Sequence, residues 1–239
     1  VLKVFIITSL NSALMPLKFQ MMDKPNNRRF YSKLMTYSAY GFIIIFLFLS
    51  LYSREVLKLL AQKPEFWSAY QFVPILGFAQ FFELLRMNAT FGLIVEKKTK
   101  IISVILVMVS ILSIGLNIVL VSVFGAMGAA VTTLLAQGLF FGLIYYFAQK
   151  YYHIPYELKK IATMGLLAIF LVVISFLLLQ PINLIPRAII KLGLIFLFPI
   201  ALYFLGFYEP IELERLKGSW YKWRNPRRWP QNLKNIKIR

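Results

Sequence analysis

Two ionisable residues, Glu83 and Arg86, lie near the middle of a long apolar segment, residues 70–95. Charged side chains in such a segment are costly to keep and usually serve a neighbouring charge or a ligand. A carboxylate and a guanidinium three residues apart on a helix can pair with each other and fix the helix among its neighbours. A guanidinium that faces water can instead bind a phosphate, while the carboxylate sets its rotamer or exchanges a proton or cation. The residue types allow both interpretations.

A helix through this segment would place further polar side chains beside the pair. Gln80 and Thr90, like Arg86 itself, fall within about 60° of Glu83 when the helix turns about 100° per residue. Asn88 falls on the opposite side. Polar groups left unsatisfied in lipid cost several kcal/mol each, so this stripe requires either protein partners or a water-filled cavity.

The next apolar segment, residues 101–123, carries a second polar group on one side of its helix: Ser103, Ser110, Ser113 and Asn117. Hydrogen bonds between packed helices are the preferred interpretation of this group, and ligand contact is the alternative. A connection of small residues follows, in which Gly125 and Gly128 precede Ala129 and Ala130. This pattern predicts a tight turn that leads into a closely packed helix.

The residues offer little for enzymatic chemistry. The chain has no cysteine and a single histidine, His153, so neither thiol chemistry nor a histidine-built metal site is expected. Asp23 is the sole aspartate, and no nucleophile elbow, P-loop or dinucleotide fingerprint occurs. We therefore expect a protein that is not an enzyme and binds no metal.

The elements that position these residues follow from composition, since 59% of residues are hydrophobic and 15% are charged. A membrane span needs about 20 consecutive apolar residues. Seven segments come near this length: residues 4–22, 36–57, 70–95, 101–123, 127–148, 161–180 and 187–208. We predict an all-α transmembrane bundle of about seven spans over residues 1–208. Because the chain begins at Val1 without an initiator methionine, we also expect it to be part of a longer protein.

The basic residues predict the orientation of this bundle. Alternating loops place twenty lysines and arginines on one side and six on the other, the six being Lys3, Arg54, Lys58, Lys63, Arg187 and Lys191. Since cytoplasmic loops retain basic residues, the richer side, with the C-terminus, is expected in the cytoplasm. The net charge of +18 is then a topology signal, and no nucleic-acid partner is expected. The basic, Trp-rich tail, residues 209–239, is expected to rest on the anionic lipid leaflet.

Parts of the sequence resemble a known family. The most specific parts are Gly92–Lys100, the serine-dotted span that ends at Asn117–Leu120, and Val123–Thr133, and Thr8–Pro16 is similar as well. These segments look like the later half of the polysaccharide-biosynthesis flippases. That family comprises O-antigen and related lipid-linked oligosaccharide exporters, within the superfamily that also holds multidrug and toxin extrusion transporters.

The resemblance implies spans 8 to 14 of a fourteen-helix, two-lobed transporter in the bacterial inner membrane. Its substrate would be an undecaprenyl-diphosphate-linked oligosaccharide, which alternating access moves from the cytoplasmic to the periplasmic leaflet for cell-surface polysaccharide synthesis. The resemblance implies Arg86, with Glu83 beside it, as the substrate-binding residue of the cavity and Lys3 as a second one. The polar groups on the two helices add Gln80, Thr90 and Asn117 as candidate substrate-binding residues. Glu83 would be the titrating group if transport is coupled to Na⁺ or H⁺, and no other cofactor is expected. The full-length protein would be a monomer.

Two other functions stay open at this stage. A multidrug exporter of the same superfamily would have an apolar, aromatic-lined cavity. A structural membrane subunit would not require Glu83 and Arg86 to face water. A membrane-embedded glycan ligase or polymerase would need a long external loop, and the loops after Ser53 and Gln180 are too short for one.

Overall fold

The computed structural model describes residues 7–60, 63–178, 183–210 and 214 of the chain. Within these ranges every regular element is helical, which confirms the predicted all-α class. The α-helices are α1 (Ser9–Gln20), α2 (Asn27–Leu51), α3 (Ser53–Leu60), α4 (Val73–Val95), α5 (Thr99–Phe124), α6 (Ala126–Tyr151), α7 (Leu158–Leu178) and α8 (Leu184–Phe204). A 3₁₀ helix, Pro64–Gln71, precedes α4.

Five helices of the described chain are long and apolar enough to cross a membrane: α2, α5, α6, α7 and residues Ile185–Phe204 of α8. These five helices correspond to five of the seven predicted spans. The structure therefore supports a helical bundle with several membrane-spanning helices, and it does not confirm the count of seven. Helix α1 has only 12 residues in the described range. Helix α4 has 23 residues, but Glu83, Arg86 and two polar amides lower its mean hydropathy.

The boundaries of α2 differ most from the sequence prediction. The predicted span was 36–57, whereas α2 begins at Asn27, ends at Leu51 and is followed by the separate helix α3. The early turns carry Arg28 and Arg29, which a search for apolar runs excludes. The same turns bury Tyr31. The helix therefore begins before the apolar run, because one side of these turns packs against the rest of the protein.

The chain divides into two compact units, Val1–Ile195 and Phe196–Arg239. In the first unit, α4 packs between α6 and α2; α5 packs on α6, and α7 packs on α2. Ala89 and Leu93 of α4 share one buried cluster with Ile105 of α5 and with Phe140 and Ile144 of α6. Helix α4 is thus buried among its neighbours although it carries the charged residues Glu83 and Arg86.

The connection between α5 and α6 has the predicted form. Gly125 separates the two helices with φ of 56°, a conformation that side chains with a Cβ rarely adopt. A Cβ at Gly128 would lie 2.0 Å from the Leu120 carbonyl oxygen. The prediction of a tight turn followed by close helix packing is therefore confirmed.

The long helices of the first unit run antiparallel in succession, so their connections gather at two ends. At the hairpin end, which holds residues 96–98 and 152–157, Tyr31 packs on Phe91 with ring centroids 4.9 Å apart. At the opposite end, where α2 stops and α8 begins, the Tyr52 hydroxyl donates to the Ala188 carbonyl at 2.7 Å.

The second unit contains the last turns of α8 and a turn at Gly206, whose φ is 67°. Apart from residues 209, 210 and 214, the predicted tail over residues 209–239 lies outside the described residues. The predicted contact of this tail with the lipid leaflet stays a prediction.

Candidate binding site on helix α4

Helix α4 carries the ion pair that the sequence suggested. The Arg86 Nη2 atom lies 3.5 Å from the Glu83 Oε1 atom, and the two side chains are 17% and 6% exposed. Good charge-assisted hydrogen bonds between nitrogen and oxygen are about 2.7–2.9 Å long. The pair therefore forms within one helix, but it is loose.

The guanidinium of Arg86 also lies on an aromatic ring of a neighbouring helix. Its Cζ atom is 4.3 Å from the centroid of Phe140 on α6. Such a cation–π contact stabilises a desolvated cation by up to about 2 kcal/mol without neutralising its charge. The Arg86 Nε atom is buried and has no hydrogen-bond partner in the described part of the chain. Arg86 is thus fixed in place while one of its donors stays unused.

The other polar residues of the predicted stripe flank this pair. The Thr90 hydroxyl donates to the Arg86 carbonyl oxygen of its own helix at 2.7 Å. The Gln80 Oε1 atom is buried and accepts no hydrogen bond from the described residues. A buried acceptor without a donor costs about 1–3 kcal/mol. The stripe therefore holds more hydrogen-bonding capacity than the described residues around it satisfy.

Asn88, which was predicted on the other side of the helix, has its hydrogen bonds satisfied. Its Nδ2 atom donates to the Leu84 carbonyl at 3.0 Å and to the Ser38 hydroxyl of α2 at 3.3 Å. The Tyr156 hydroxyl donates to the Asn88 carbonyl at 3.3 Å. Asn88 therefore links α4 to its neighbours through satisfied hydrogen bonds.

Aromatic side chains surround the N-terminal half of α4. Phe78 and Phe82 meet edge to face at 5.4 Å, and Phe82 lies 6.1 Å from Phe141 of α6. A Cβ at Gly138 would be 3.7 Å from the Phe82 ring, so α6 approaches this helix closely. Apolar rings lower the local dielectric, which strengthens the interactions of the charged groups beside them.

The remaining predicted site residues lie elsewhere. Lys3 falls outside the described residues, and Asn117 is half-buried on α5. Ser103 and Ser110 are exposed, because α5 packs on its neighbours through Ile105 and Val109 instead. The structure therefore brings Glu83, Arg86, Gln80 and Thr90 together on α4, and the packing of α5 does not use these two serines.

The hairpin end holds a second carboxylate in a different setting. Glu157 Oε1 accepts hydrogen bonds from Lys33 Nζ at 2.9 Å and from Lys160 Nζ at 3.1 Å. Its Oε2 atom accepts one from the Thr36 hydroxyl at 3.0 Å. Partial burial alone would raise the pKa of Glu157, but the hydrogen bonds from Lys33, Lys160 and Thr36 outweigh it and lower the pKa. This cluster ties α2 to the start of α7.

Sequence reasoning missed Phe140, since nothing in the sequence shows which aromatic residue of α6 will face Arg86. It also missed a basic cluster at the opposite end, although the sequence carries a signal for it. Arg54 and Lys58 are spaced i, i+4, as are Arg187 and Lys191, so each pair shares one side of its helix.

Comparison with known proteins adds no relative: no protein-family model matches the chain, nor does any curated protein or solved structure. The family resemblance of residues 92–133 therefore stays an expectation drawn from the sequence.

Proposed function

We propose that the chain is the C-terminal lobe of a transporter that flips an undecaprenyl-diphosphate-linked oligosaccharide across the bacterial inner membrane. The observation that carries the proposal is Arg86, a nearly buried cation at the middle of α4 with an unused Nε donor. The resemblance of residues 92–133 to polysaccharide flippases supports the same function. The C-terminus lies in the cytoplasm in this proposal, and the full-length protein acts as a monomer.

The chemistry of the stripe suits a diphosphate. A guanidinium presents five donors in a planar fork that can bind a phosphate through two parallel hydrogen bonds. Glu83 lies at 3.5 Å, so a bound phosphate can take over the pairing of Arg86 while Phe140 holds its side chain. Gln80 and Thr90 flank the same position. When the phosphate takes over, Glu83 becomes available to a Na⁺ ion or a proton, which provides a route for coupling.

An export assay tests the role of Arg86. The full-length protein with Arg86→Ala is expected to reach the membrane at the wild-type level and to lose export in a bacterium that lacks its own flippase. Lys33→Ala, which removes a cation from the hairpin end, is the matched control and should retain export per inserted molecule. Wild-type export by the Arg86→Ala protein would contradict the proposal.

Two observations favour other functions. The rings of Phe78, Phe82 and Phe141 beside the ion pair suit an apolar drug, as a multidrug exporter requires. Expression in a drug-sensitive strain would raise resistance if that function is correct. The i, i+3 pairing of Glu83 with Arg86 suits a structural subunit. In that case the full-length wild-type protein would not restore export in a bacterium that lacks its own flippase.

A further inference from the structure

The opposite end of the first unit carries basic side chains around two adjoining recesses. One has a cavity volume of about 30 Å³, and its polar lining residues are Ser53, Arg54, Tyr70, Ser175, Arg187 and Lys191. The other has a cavity volume of about 330 Å³ and is lined by Arg54, Glu55, Lys58, Leu59 and Arg187. Arg54 and Arg187 border both, so we treat the two together as the basic recess.

The positive charge of the basic recess lies on the side of the chain that has few basic residues. The sequence puts only six basic residues on this side, and four of them line the basic recess: Arg54, Lys58, Arg187 and Lys191. Membrane insertion disfavours basic residues outside the cytoplasm. A group of four in one place therefore indicates a requirement for positive charge at that position.

One carboxylate in the lining offsets part of this charge. Glu55 accepts hydrogen bonds from Lys191 Nζ on both oxygens, at 2.7 and 2.8 Å. Arg187 Nε is 3.7 Å from Glu55 Oε1, beyond hydrogen-bonding distance, and is buried without a hydrogen-bond partner in the described chain. Glu55 and Lys191 thus satisfy each other and connect α3 to α8. Arg187 keeps a donor to offer.

The two cations of α3 lie on aromatic rings. The Arg54 guanidinium is 5.9 Å from the centroid of Tyr70, and the Lys58 Nζ atom is 5.2 Å from the ring of Trp67. These contacts restrict the side chains but leave their charge in place. The basic recess is therefore lined by two ring-bound cations of α3 together with Arg187 of α8.

We propose that the basic recess binds the phosphate group of an anionic ligand. Arg54 and Arg187 are its direct donors, since a guanidinium matches the geometry of phosphate oxygens. Lys58 adds positive charge, and the Glu55–Lys191 pair positions α8. The phosphate can belong to a phospholipid headgroup or to a soluble phosphate. Leu59, which lines the recess, is 86% exposed, as suits a neighbouring acyl chain. This site does not depend on the proposed function of Arg86.

Native mass spectrometry of the full chain in detergent tests the proposal. The probes are phosphatidylglycerol, neutral phosphatidylcholine and inorganic pyrophosphate. We expect the wild-type chain to bind phosphatidylglycerol or pyrophosphate more tightly than phosphatidylcholine. The Arg54→Gln/Arg187→Gln variant should bind the preferred anionic probe at least about tenfold more weakly than the wild-type chain does, as expected for the loss of charge-assisted hydrogen bonds.

A charge-matched control separates a site from general attraction. Lys100→Gln/Lys150→Gln removes two exposed cations from the hairpin end and should leave binding unchanged. Phosphatidylglycerol binding that pyrophosphate does not displace identifies a lipid site, and displacement identifies a site that also accepts soluble phosphate. Arg54→Gln alone, which removes a ring contact, serves if the double variant does not fold. The proposal would be overturned if the wild-type chain bound neither anionic probe. It would also be overturned if the Arg54→Gln/Arg187→Gln variant or the Arg54→Gln variant bound the preferred anionic probe with wild-type affinity.

Discussion

The two carboxylates at Glu157 and Glu83 show how differently one residue type can be used in this chain. Glu157 accepts three hydrogen bonds of 2.9–3.1 Å from donors on α2 and α7, so it joins two helices. Glu83 pairs with Arg86 on its own helix at 3.5 Å, and that arginine keeps a buried donor unused. The close hydrogen bonds of Glu157 between two helices are explained by their contribution to the stability of the fold. In the proposed function, the loose pair within α4 leaves Arg86 to a ligand.

The largest effect on stability is expected at the hairpin end. Glu157→Ala should lower the free energy of unfolding by about 2–3 kcal/mol, since hydrogen bonds to a charged group are lost and the cluster is partly exposed. Thermal unfolding in detergent measures it, with Glu96→Ala as the control because Glu96 is exposed at the same end. An equal effect of both variants would remove the distinction between Glu157 and an ordinary surface carboxylate.

Acid should weaken the same cluster. The folded-state pKa of Glu157 is lowered, so its contribution to stability is present above the ordinary glutamate pKa of about 4.3 and is lost as the pH falls through the folded value. The wild-type unfolding temperature should therefore drop more steeply below that pH than the unfolding temperature of Glu157→Ala. Parallel curves for the two proteins would contradict this role.

Transport, by contrast, should respond to Glu83. In a reconstituted assay Glu83→Gln is expected to change the dependence of transport on pH or Na⁺, because the titrating group is gone. Glu157→Gln should leave that dependence unchanged while it lowers stability. If Glu83→Gln transports with the wild-type dependence on both ions, Glu83 is a structural residue.

The smallest effect on stability is expected at Gln80. Its buried Oε1 atom accepts no hydrogen bond in the described chain, so Gln80→Leu removes an unsatisfied acceptor and should raise the free energy of unfolding by about 1 kcal/mol. The same variant should still weaken export if Gln80 contacts the ligand beside Arg86. A loss of stability without a loss of export would assign Gln80 to packing.

The sequence predicted the helical class and the limits of α5, α6 and α7 to within a few residues, because their apolar runs end where polar connections begin. It could not predict the start of α2. The first turns of that helix are basic in sequence, and they are helical because Tyr31 on one side of them is buried. The stripe of α4 was readable from its spacing. The contact of Arg86 with Phe140 was not, since it depends on how α6 packs. The basic recess likewise requires α8 to lie beside α3, and no local pattern shows that.

The accessibility of the α4 stripe to water tests the central claim most directly, and the chain suits the measurement because it contains no cysteine. Thr90→Cys shares the stripe and retains Arg86, whereas Ala89→Cys lies at a fully buried position that faces α6. A membrane-impermeant thiol reagent should label Thr90→Cys and not Ala89→Cys, and undecaprenyl diphosphate should slow that labelling unless Arg86→Ala is also present. Equal failure to label both cysteines would show that the stripe faces no aqueous cavity and would contradict the account.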